Sequence, residues 1–164
     1  YVFGFEESYG YLTGSYVRDK DGVDGAYMIC EMFSYYATKG ISLLDKLDEL
    51  YKTYGYCLNT LHSYEFDGSA GFAKMQSIMQ AFRGDIKEFG GKKVVKLLDY
   101  APGLDGLPKS DVLKFLLEDN CSLVVRPSGT EPKLKTYISV SAANKETAEA
   151  VESEICKSAE VYLK

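Results

Sequence analysis

The residues best suited to chemistry form one short polar segment, Arg126-Pro-Ser-Gly-Thr-Glu-Pro-Lys133. Arg126 offers a planar guanidinium that can bond a phosphate bidentately, and the hydroxyls of Ser128 and Thr130 can donate to the remaining oxygens. Gly129 lets backbone amides approach an anion without a Cβ in the way. The segment therefore predicts a phosphate-binding loop, and the loop alone leaves a solvated proline/glycine hairpin open as the alternative.

Two strands are predicted to hold this loop. The run 121–126 is rich in β-formers, and 134–140 alternates with period two, so the loop is a strand-to-strand turn on a rigid mount. Lys133 ends this segment and Lys135 lies two residues further on, and with Arg126 they form a local basic cluster that can attract an anion. Lys133 is the weaker candidate, acting by long-range attraction.

A second polar segment, Gly4-Phe-Glu-Glu-Ser-Tyr-Gly10, is an acidic turn bracketed by glycines. Carboxylates at Glu6 and Glu7 can accept hydrogen bonds from sugar hydroxyls, and Ser8 can both donate and accept. Adjacent residues of an extended strand point to opposite faces, so the two glutamates are not expected to share a proton as an acid/base dyad. An ordinary solvated acidic turn is the alternative.

Taken in order, the segments 4–10, 18–22 and 126–132 resemble the C-terminal half of the α-D-phosphohexomutases, the phosphoglucomutase and phosphomannomutase enzymes. The resemblance implies that a third domain holds the sugar and a fourth holds the phosphate that is not reacting. It implies sugar contacts from Glu6, Glu7 and Ser8, and phosphate contacts from Arg126, Ser128, Gly129 and Thr130. Lys20 either reaches the substrate in the closed enzyme or forms a surface salt bridge.

The implied enzyme is an isomerase of carbohydrate metabolism, an intramolecular phosphotransferase acting between the C1 and C6 hydroxyls of a hexose through a bisphosphate intermediate. Its substrates would be glucose or mannose 1- and 6-phosphates. The aromatic residues Phe5, Tyr9 and Tyr11 look most like the branch related to phosphopentomutase and glucose-1,6-bisphosphate synthase. Gluco, manno and pentose specificity, and mutase against synthase activity, therefore stay open. A non-catalytic phosphosugar-sensing module is a further alternative.

Two motifs of that family are missing from this sequence: the serine-nucleophile loop and the acidic magnesium loop. His62 is the only histidine and stands in no such motif, and the acidic run 19–25 has the wrong spacing for that loop and for an EF-hand. Phosphoryl transfer needs nucleophile and metal in line. We therefore expect a fragment with no catalytic residue, metal or cofactor of its own. Mg²⁺ and the N-terminal domains are implied for the full-length enzyme.

Composition indicates a cytoplasmic globular protein. The 164 residues carry a net charge of −5, which argues against a nucleic-acid binder, and 46% of them are hydrophobic, enough for a core. No apolar run approaches the ~18–20 residues that span a bilayer. The cysteines are scattered without a CxxC pair, so reduced thiols are favoured over disulfides or zinc; they are Cys30, Cys57, Cys121 and Cys156.

Periodicity predicts an α/β plus α+β fold in two parts, 1–55 and 56–164. The first, the C-terminal portion of the sugar-binding α/β domain, has a strand and two helices, the second starting at a Ser42/Asp45 capping box. The second, the phosphate-binding domain, has the order βαββββα, which predicts an antiparallel sheet covered by two helices. The apolar helix stripes are interpreted as core. The predicted strands are 56–66, 93–99, 112–118, 121–126 and 134–141, with helices over 69–83 and after Asn144.

Overall fold

The computed structural model describes residues 2–6, 9–66, 68–129 and 131–163. The chain divides into two compact units, Tyr1–Thr53 and Tyr54–Lys164. No helix in the described ranges has both the length and the apolar character needed to cross a membrane.

The first unit contains a small antiparallel hairpin followed by two helices. Strands β1 (Gly4–Glu6) and β2 (Gly10–Leu12) pair with each other, and helices α1 (Gly22–Ala37) and α2 (Leu43–Tyr54) follow. The predicted capping box at α2 is confirmed, since the Asp45 amide donates to Ser42 Oγ at 3.0 Å and the Ser42 amide donates to Asp45 Oδ2 at 3.2 Å. This exchange satisfies two amides at the start of the helix.

The prediction that the apolar stripes of α1 and α2 form a core is wrong for this unit. Only Gly25 is buried in α1, and no residue is buried in α2. The two three-residue strands are the other regular elements described in this unit, and they offer too little surface to cover both helices. The exposed apolar side chains of the two helices include Ile29, Met32, Phe33, Leu44, Leu47 and Leu50.

The second unit is a six-stranded antiparallel sheet with two helices, which confirms the predicted fold class. The strand order is β3-β8-β7-β6-β5-β4, so the last four strands along the chain form a meander and β3 pairs with β8 at one edge. Strand β4 has only two residues, too short to show an alternating pattern, and was not predicted. The elements are β3 (Tyr56–Glu65), α3 (Gly68–Phe82), β4 (Glu88–Phe89), β5 (Lys92–Asp99), β6 (Leu113–Leu117), β7 (Ser122–Pro127), β8 (Lys133–Ala142) and α4 (Lys145–Glu160).

The core of this unit lies between one face of the sheet and the two helices, and the apolar stripe of each helix contributes to it, although Phe72 of α3 is exposed. Strands β6, β7 and β8 bury every second residue against it, including Phe115, Val125 and Ile138. The helices contribute buried residues such as Phe82 of α3 and Ile155 of α4. Because strand side chains alternate between faces, the remaining residues of β7 and β8 point to the opposite, open face of the sheet.

Candidate functional site

The loop 128–132 connects β7 to β8 and is fixed at its base by three backbone hydrogen bonds. The Ser128 amide donates to the Lys133 carbonyl at 2.7 Å, and the Lys133 amide donates to the Glu131 carbonyl at 2.7 Å. The Phe66 amide, just beyond β3, donates to the Pro132 carbonyl at 2.9 Å. The loop is therefore tied to three adjacent strands, the rigid mount that a preorganised binding loop needs.

Arg126 and Lys135 stand directly opposite each other where this loop begins. They are register partners on β7 and β8, and their chain neighbours Val125 and Leu134 are fully buried in the core. Both cationic side chains therefore belong to the open face, where Arg126 is exposed and Lys135 half-buried. Neither side chain forms a hydrogen bond or an ion pair within the part of the chain that the structure describes. Two like charges placed this way repel each other, and an anion between them would relieve the repulsion.

Lys133, the third member of the predicted basic cluster, has its charge shared with two carboxylates. Its Nζ lies 3.1 Å from Glu65 Oε1 and 3.5 Å from Glu131 Oε2. The hydrogen bond that Lys133 donates to Glu65 and the charges of both glutamates raise the pKa of Lys133. Because these carboxylates offset its charge, Lys133 contributes less to anion attraction than Arg126 and Lys135 do.

The small residues of the loop leave space at its tip. Ser128 is half-buried at the start of the loop, and Gly129 is exposed. A Cβ placed on Gly129 would meet no described atom within 4 Å, so the surroundings described do not by themselves demand glycine there. Thr130, the remaining predicted phosphate contact, lies outside the described residues.

In the first unit, the structure brings Glu6 and Lys20 together. Lys20 Nζ lies 2.8 Å from Glu6 Oε2, and about half of each side chain is exposed. Gly10 makes the approach possible, because a Cβ at that position would lie 2.5 Å from Lys20 Cδ. Of the two roles left open for Lys20, the salt bridge is the one the structure contains. Glu7 and Ser8 lie outside the described residues.

Ser63 lies next to the Arg126–Lys135 pair, and no motif in the sequence pointed to it. It is the register partner of Lys135 on β3, so Ser63, Lys135 and Arg126 form one row across three strands. Ser63 is exposed, and its hydroxyl can donate to an anion. The alternation within 56–66 places odd-numbered residues on one face, but only the β3–β8 pairing shows which residues of β8 they adjoin.

The acidic run at 19–25 is the part of the sequence most similar to a magnesium motif, and its carboxylates form local hydrogen bonds. Asp21 caps α1 by accepting from the amides of Val23 and Asp24, and the Asp24 carboxylate accepts from the Thr13 hydroxyl. Asp19 accepts from the Lys20 amide at 2.7 Å. These carboxylates serve turns and a helix start, and within the described residues they form no group of three with ligand atoms inside 4.8 Å of one another, so this run does not fit a Mg²⁺ site.

An apolar hollow in the first unit is a poor match for a phosphosugar. Aromatic residues of the hairpin and methionine and isoleucine residues of α1 line it, including Phe3, Phe5, Met28 and Met32. Sites for small polar ligands need converging polar groups. Its lining supplies almost none.

Fold and site together define a two-part α/β and α+β chain whose sheet carries a basic strand-to-strand loop. Two family models account for most of it. The C-terminal domain of phosphoglucomutase/phosphomannomutase matches residues 68–158, and the alpha/beta/alpha domain III of the same enzymes matches residues 1–54. The chain belongs to the phosphoglucomutase/phosphomannomutase family.

Curated relatives agree with this assignment. A phosphoglucomutase of Staphylococcus aureus (strain MSSA476) is 39% identical over 155 residues, and one of Staphylococcus epidermidis (strain ATCC 12228) is 34% identical over 153 residues. These alignments cover 87% and 86% of this chain, which spans 28% of each relative's length.

A solved structure shares the fold. The open form of the exocytosis-sensitive phosphoprotein pp63/parafusin, a phosphoglucomutase from Paramecium, matches with a TM-score of 0.65 at 19% identity. The match covers 99% of this chain and 29% of the Paramecium chain.

Proposed function

We propose that this chain is the substrate-recognition half of a phosphohexomutase and that Arg126 is the central residue of its phosphate-binding site. The observation that carries the proposal is the Arg126–Lys135 pair, two adjacent cations on an open sheet face with no carboxylate partner among the described residues. They stand at the base of a loop with an exposed glycine at its tip. A phosphate dianion on this face would neutralise both charges.

The proposed phosphate-binding site combines three kinds of donor. Arg126 supplies a planar fork for two phosphate oxygens, and Lys135 supplies a compact positive charge beside it. Ser128, the amide of Gly129 and Thr130 would bond the remaining oxygens, with Lys133 as a distant contributor. Each charge-assisted bond is worth about 1.5–3 kcal/mol, much of it offset by association entropy, so dissociation constants near millimolar are expected for this chain alone.

The sugar end of the substrate would be held by the hairpin of the first unit. Glu6 and Glu7 accept from sugar hydroxyls, and Ser8 donates or accepts. The ion pair with Lys20 orients the Glu6 carboxylate. Nothing in this division of labour requires the chain to break a bond, and we propose that the isolated chain is inactive.

The reaction of the full-length enzyme would be the movement of a phosphoryl group between the C1 and C6 hydroxyls of a hexose in the cytoplasm. The nucleophile and Mg²⁺ would come from the N-terminal domains, since neither motif stands in this sequence. The relatives named phosphoglucomutase favour glucose phosphates over mannose phosphates. Phosphopentomutase, glucose-1,6-bisphosphate synthase and a non-catalytic phosphosugar sensor are the competing functions.

Kinetics of the full-length enzyme test this proposal. Arg126→Ala should lower kcat/KM for glucose 1-phosphate by about a hundredfold, the value of one strong charge-assisted contact. Lys157→Ala, at an exposed cation of α4 paired with Glu154, is the matched control and should leave kcat/KM unchanged. Equal kcat/KM in the two variants would contradict the proposed role of Arg126 in phosphate binding. An inactive wild-type enzyme that still binds the sugar phosphate would favour the sensor.

A further inference from the structure

A second group of chemically active side chains lies on the helix-covered face of the sheet, where β3 packs against α4. A nitrogen of His62, a carboxylate oxygen of Glu152 and Cys156 Sγ all lie within 4.8 Å of one another. His62 comes from the edge strand, and the other two stand one helical turn apart on α4. The alternation of β3 sends His62 away from the face that carries Ser63, Lys135 and Arg126.

The hydrogen bonds of this cluster hold its ligand atoms in place. His62 Nε2 lies 2.7 Å from Glu152 Oε1, which also accepts from Thr60 Oγ1 at 2.6 Å. Cys156 Sγ lies 4.0 Å from the Tyr64 hydroxyl and 3.9 Å from Glu160 Oε1. The Glu152 side chain is only 13% exposed and that of His62 is 34% exposed, so the cluster is sheltered but reachable from solvent.

The donor set selects among metals. Imidazole nitrogen, thiolate sulfur and carboxylate oxygen together suit Zn²⁺ and its spectroscopic substitute Co²⁺, whereas Mg²⁺ takes oxygen ligands. Ligand atoms of a tetrahedral zinc site stand roughly 3.5 Å apart, so side-chain movements of about 1 Å would complete the coordination. The carboxylate of Glu160 adds negative charge beside the thiol.

We propose that His62, Glu152 and Cys156 form a zinc site that fastens the edge strand β3 to the C-terminal helix α4, with solvent as the fourth ligand. The zinc expected here is separate from the Mg²⁺ of phosphoryl transfer and from the phosphate loop. Binding releases the Cys156 proton to solvent as the Zn–S bond forms. Because the metal joins two elements of the native fold and has no such site in the unfolded chain, it stabilises the folded state.

Titration of the reduced chain with Co²⁺ tests the site. One equivalent should produce a thiolate-to-cobalt charge-transfer band, and Zn²⁺ should remove it by competition. Cys156→Ser should abolish the band, and Glu152→Gln should weaken Co²⁺ binding by at least about tenfold. Cys57→Ser, at an exposed cysteine on the other face of β3, and Glu149→Gln, at an exposed glutamate of α4, are the controls that should retain it.

Several outcomes would overturn the site: no thiolate band in the wild-type chain, a band that persists in Cys156→Ser, or equal losses in Glu152→Gln and Glu149→Gln. Circular dichroism of each variant checks the fold. In addition, Zn²⁺ should raise the Tm of the wild-type and Cys57→Ser chains and leave that of Cys156→Ser unchanged, and no rise in the wild-type Tm would also contradict the proposal. Arg126→Ala should bind Co²⁺ normally, because its side chain is on the opposite face of the sheet.

Discussion

Arg126 and Lys135 occupy facing positions on β7 and β8, so two cations stand side by side on an open sheet face. Like charges in this arrangement destabilise an antiparallel pair by a few tenths of a kcal/mol up to about 1 kcal/mol. A purely structural hairpin would gain stability by replacing one of them. Their juxtaposition is what a site for a doubly charged anion requires, and stability and binding should therefore respond to substitution in opposite directions.

Lys135→Gln should make that opposition measurable. Without phosphate and at low salt, we expect the free energy of unfolding to rise by about 0.5 kcal/mol, because the repulsion on Arg126 is removed. In the presence of phosphate the variant should gain less stability than the wild type, since it binds the anion more weakly. Urea unfolding with and without phosphate measures both. Lys145→Gln, at an exposed cation paired with Glu149, is the control, and a Lys135→Gln chain that is less stable without phosphate would contradict the interpretation.

Lys20→Met should test whether the Glu6–Lys20 ion pair contributes to sugar binding. Because the Glu6–Lys20 pair is half-exposed, its loss should change the free energy of unfolding by less than about 1 kcal/mol. If Glu6 needs Lys20 to stay oriented toward the sugar, binding of glucose 1-phosphate should weaken while binding of inorganic phosphate stays the same. Calorimetric or NMR titration with both ligands makes the comparison. Equal weakening for both ligands would place Lys20 in a different role.

Asp99 and Arg83 should make the second unit sensitive to acid. Arg83 Nε donates to Asp99 Oδ2 at 2.9 Å and Nη2 donates to Asp111 Oδ1 at 2.6 Å, and the bond from Arg83 lowers the pKa of Asp99 below its ordinary 3.8. A lowered pKa means that the stabilisation is complete above the ordinary value and is lost as pH falls through the lower folded-state pKa.

Asp99→Asn should therefore cost about 1–3 kcal/mol at pH 7 and flatten the fall of stability below about pH 4. The measurement is the free energy of unfolding of both chains across that range. Asp85→Asn, at an exposed aspartate, serves as the control. A wild-type profile with the same slope as that of Asp99→Asn below pH 4 would remove Asp99 from the account.

Gly90 and Gly91 form a matched pair for testing how β4 packs on α4. Both have positive φ, at 55° and 75°. A Cβ at Gly90 would lie 2.5 Å from the Ile155 backbone nitrogen, whereas one at Gly91 would meet nothing within 4 Å. Gly91→Ala should cost about 1 kcal/mol from backbone strain alone, and Gly90→Ala about 3 kcal/mol or more because the helix must also move. Thermal and urea unfolding would show the difference, and equal costs would contradict this packing.

The architecture of the second unit followed from the sequence because its signals are local. Strand β8 alternates with period two, the segment of β7 is rich in β-formers, and Asn144 caps α4 by accepting from the Thr147 amide at 2.9 Å, as predicted. The two-residue strand β4 carried no such signal. The stripes of α1 and α2 look like those of α4 in sequence, yet they are exposed, because burial depends on what an element packs against as well as on its own pattern.

The candidate sites were predictable only where their residues are close in sequence. Arg126 and Ser128 stand within a single motif, so residue types alone indicated a phosphate loop. The compensation of Lys133 by Glu65 and the approach of Cys156 to His62 depend on pairing across β3, β8 and α4, which bring together residues more than sixty positions apart. Spacing rules for cysteines and histidines apply to one segment of sequence at a time, so they did not identify the cluster of His62, Glu152 and Cys156.

The most direct test of the proposed phosphate-binding site is an NMR titration of this chain with inorganic phosphate, glucose 1-phosphate and glucose, repeated on Arg126→Ala and Lys157→Ala. We predict phosphate-induced shifts at 126–135 at millimolar ligand. These shifts should disappear in Arg126→Ala and persist in Lys157→Ala, with additional shifts at residues 6–8 for glucose 1-phosphate only. Phosphate-induced shifts that are the same in Arg126→Ala as in the wild type would contradict the account.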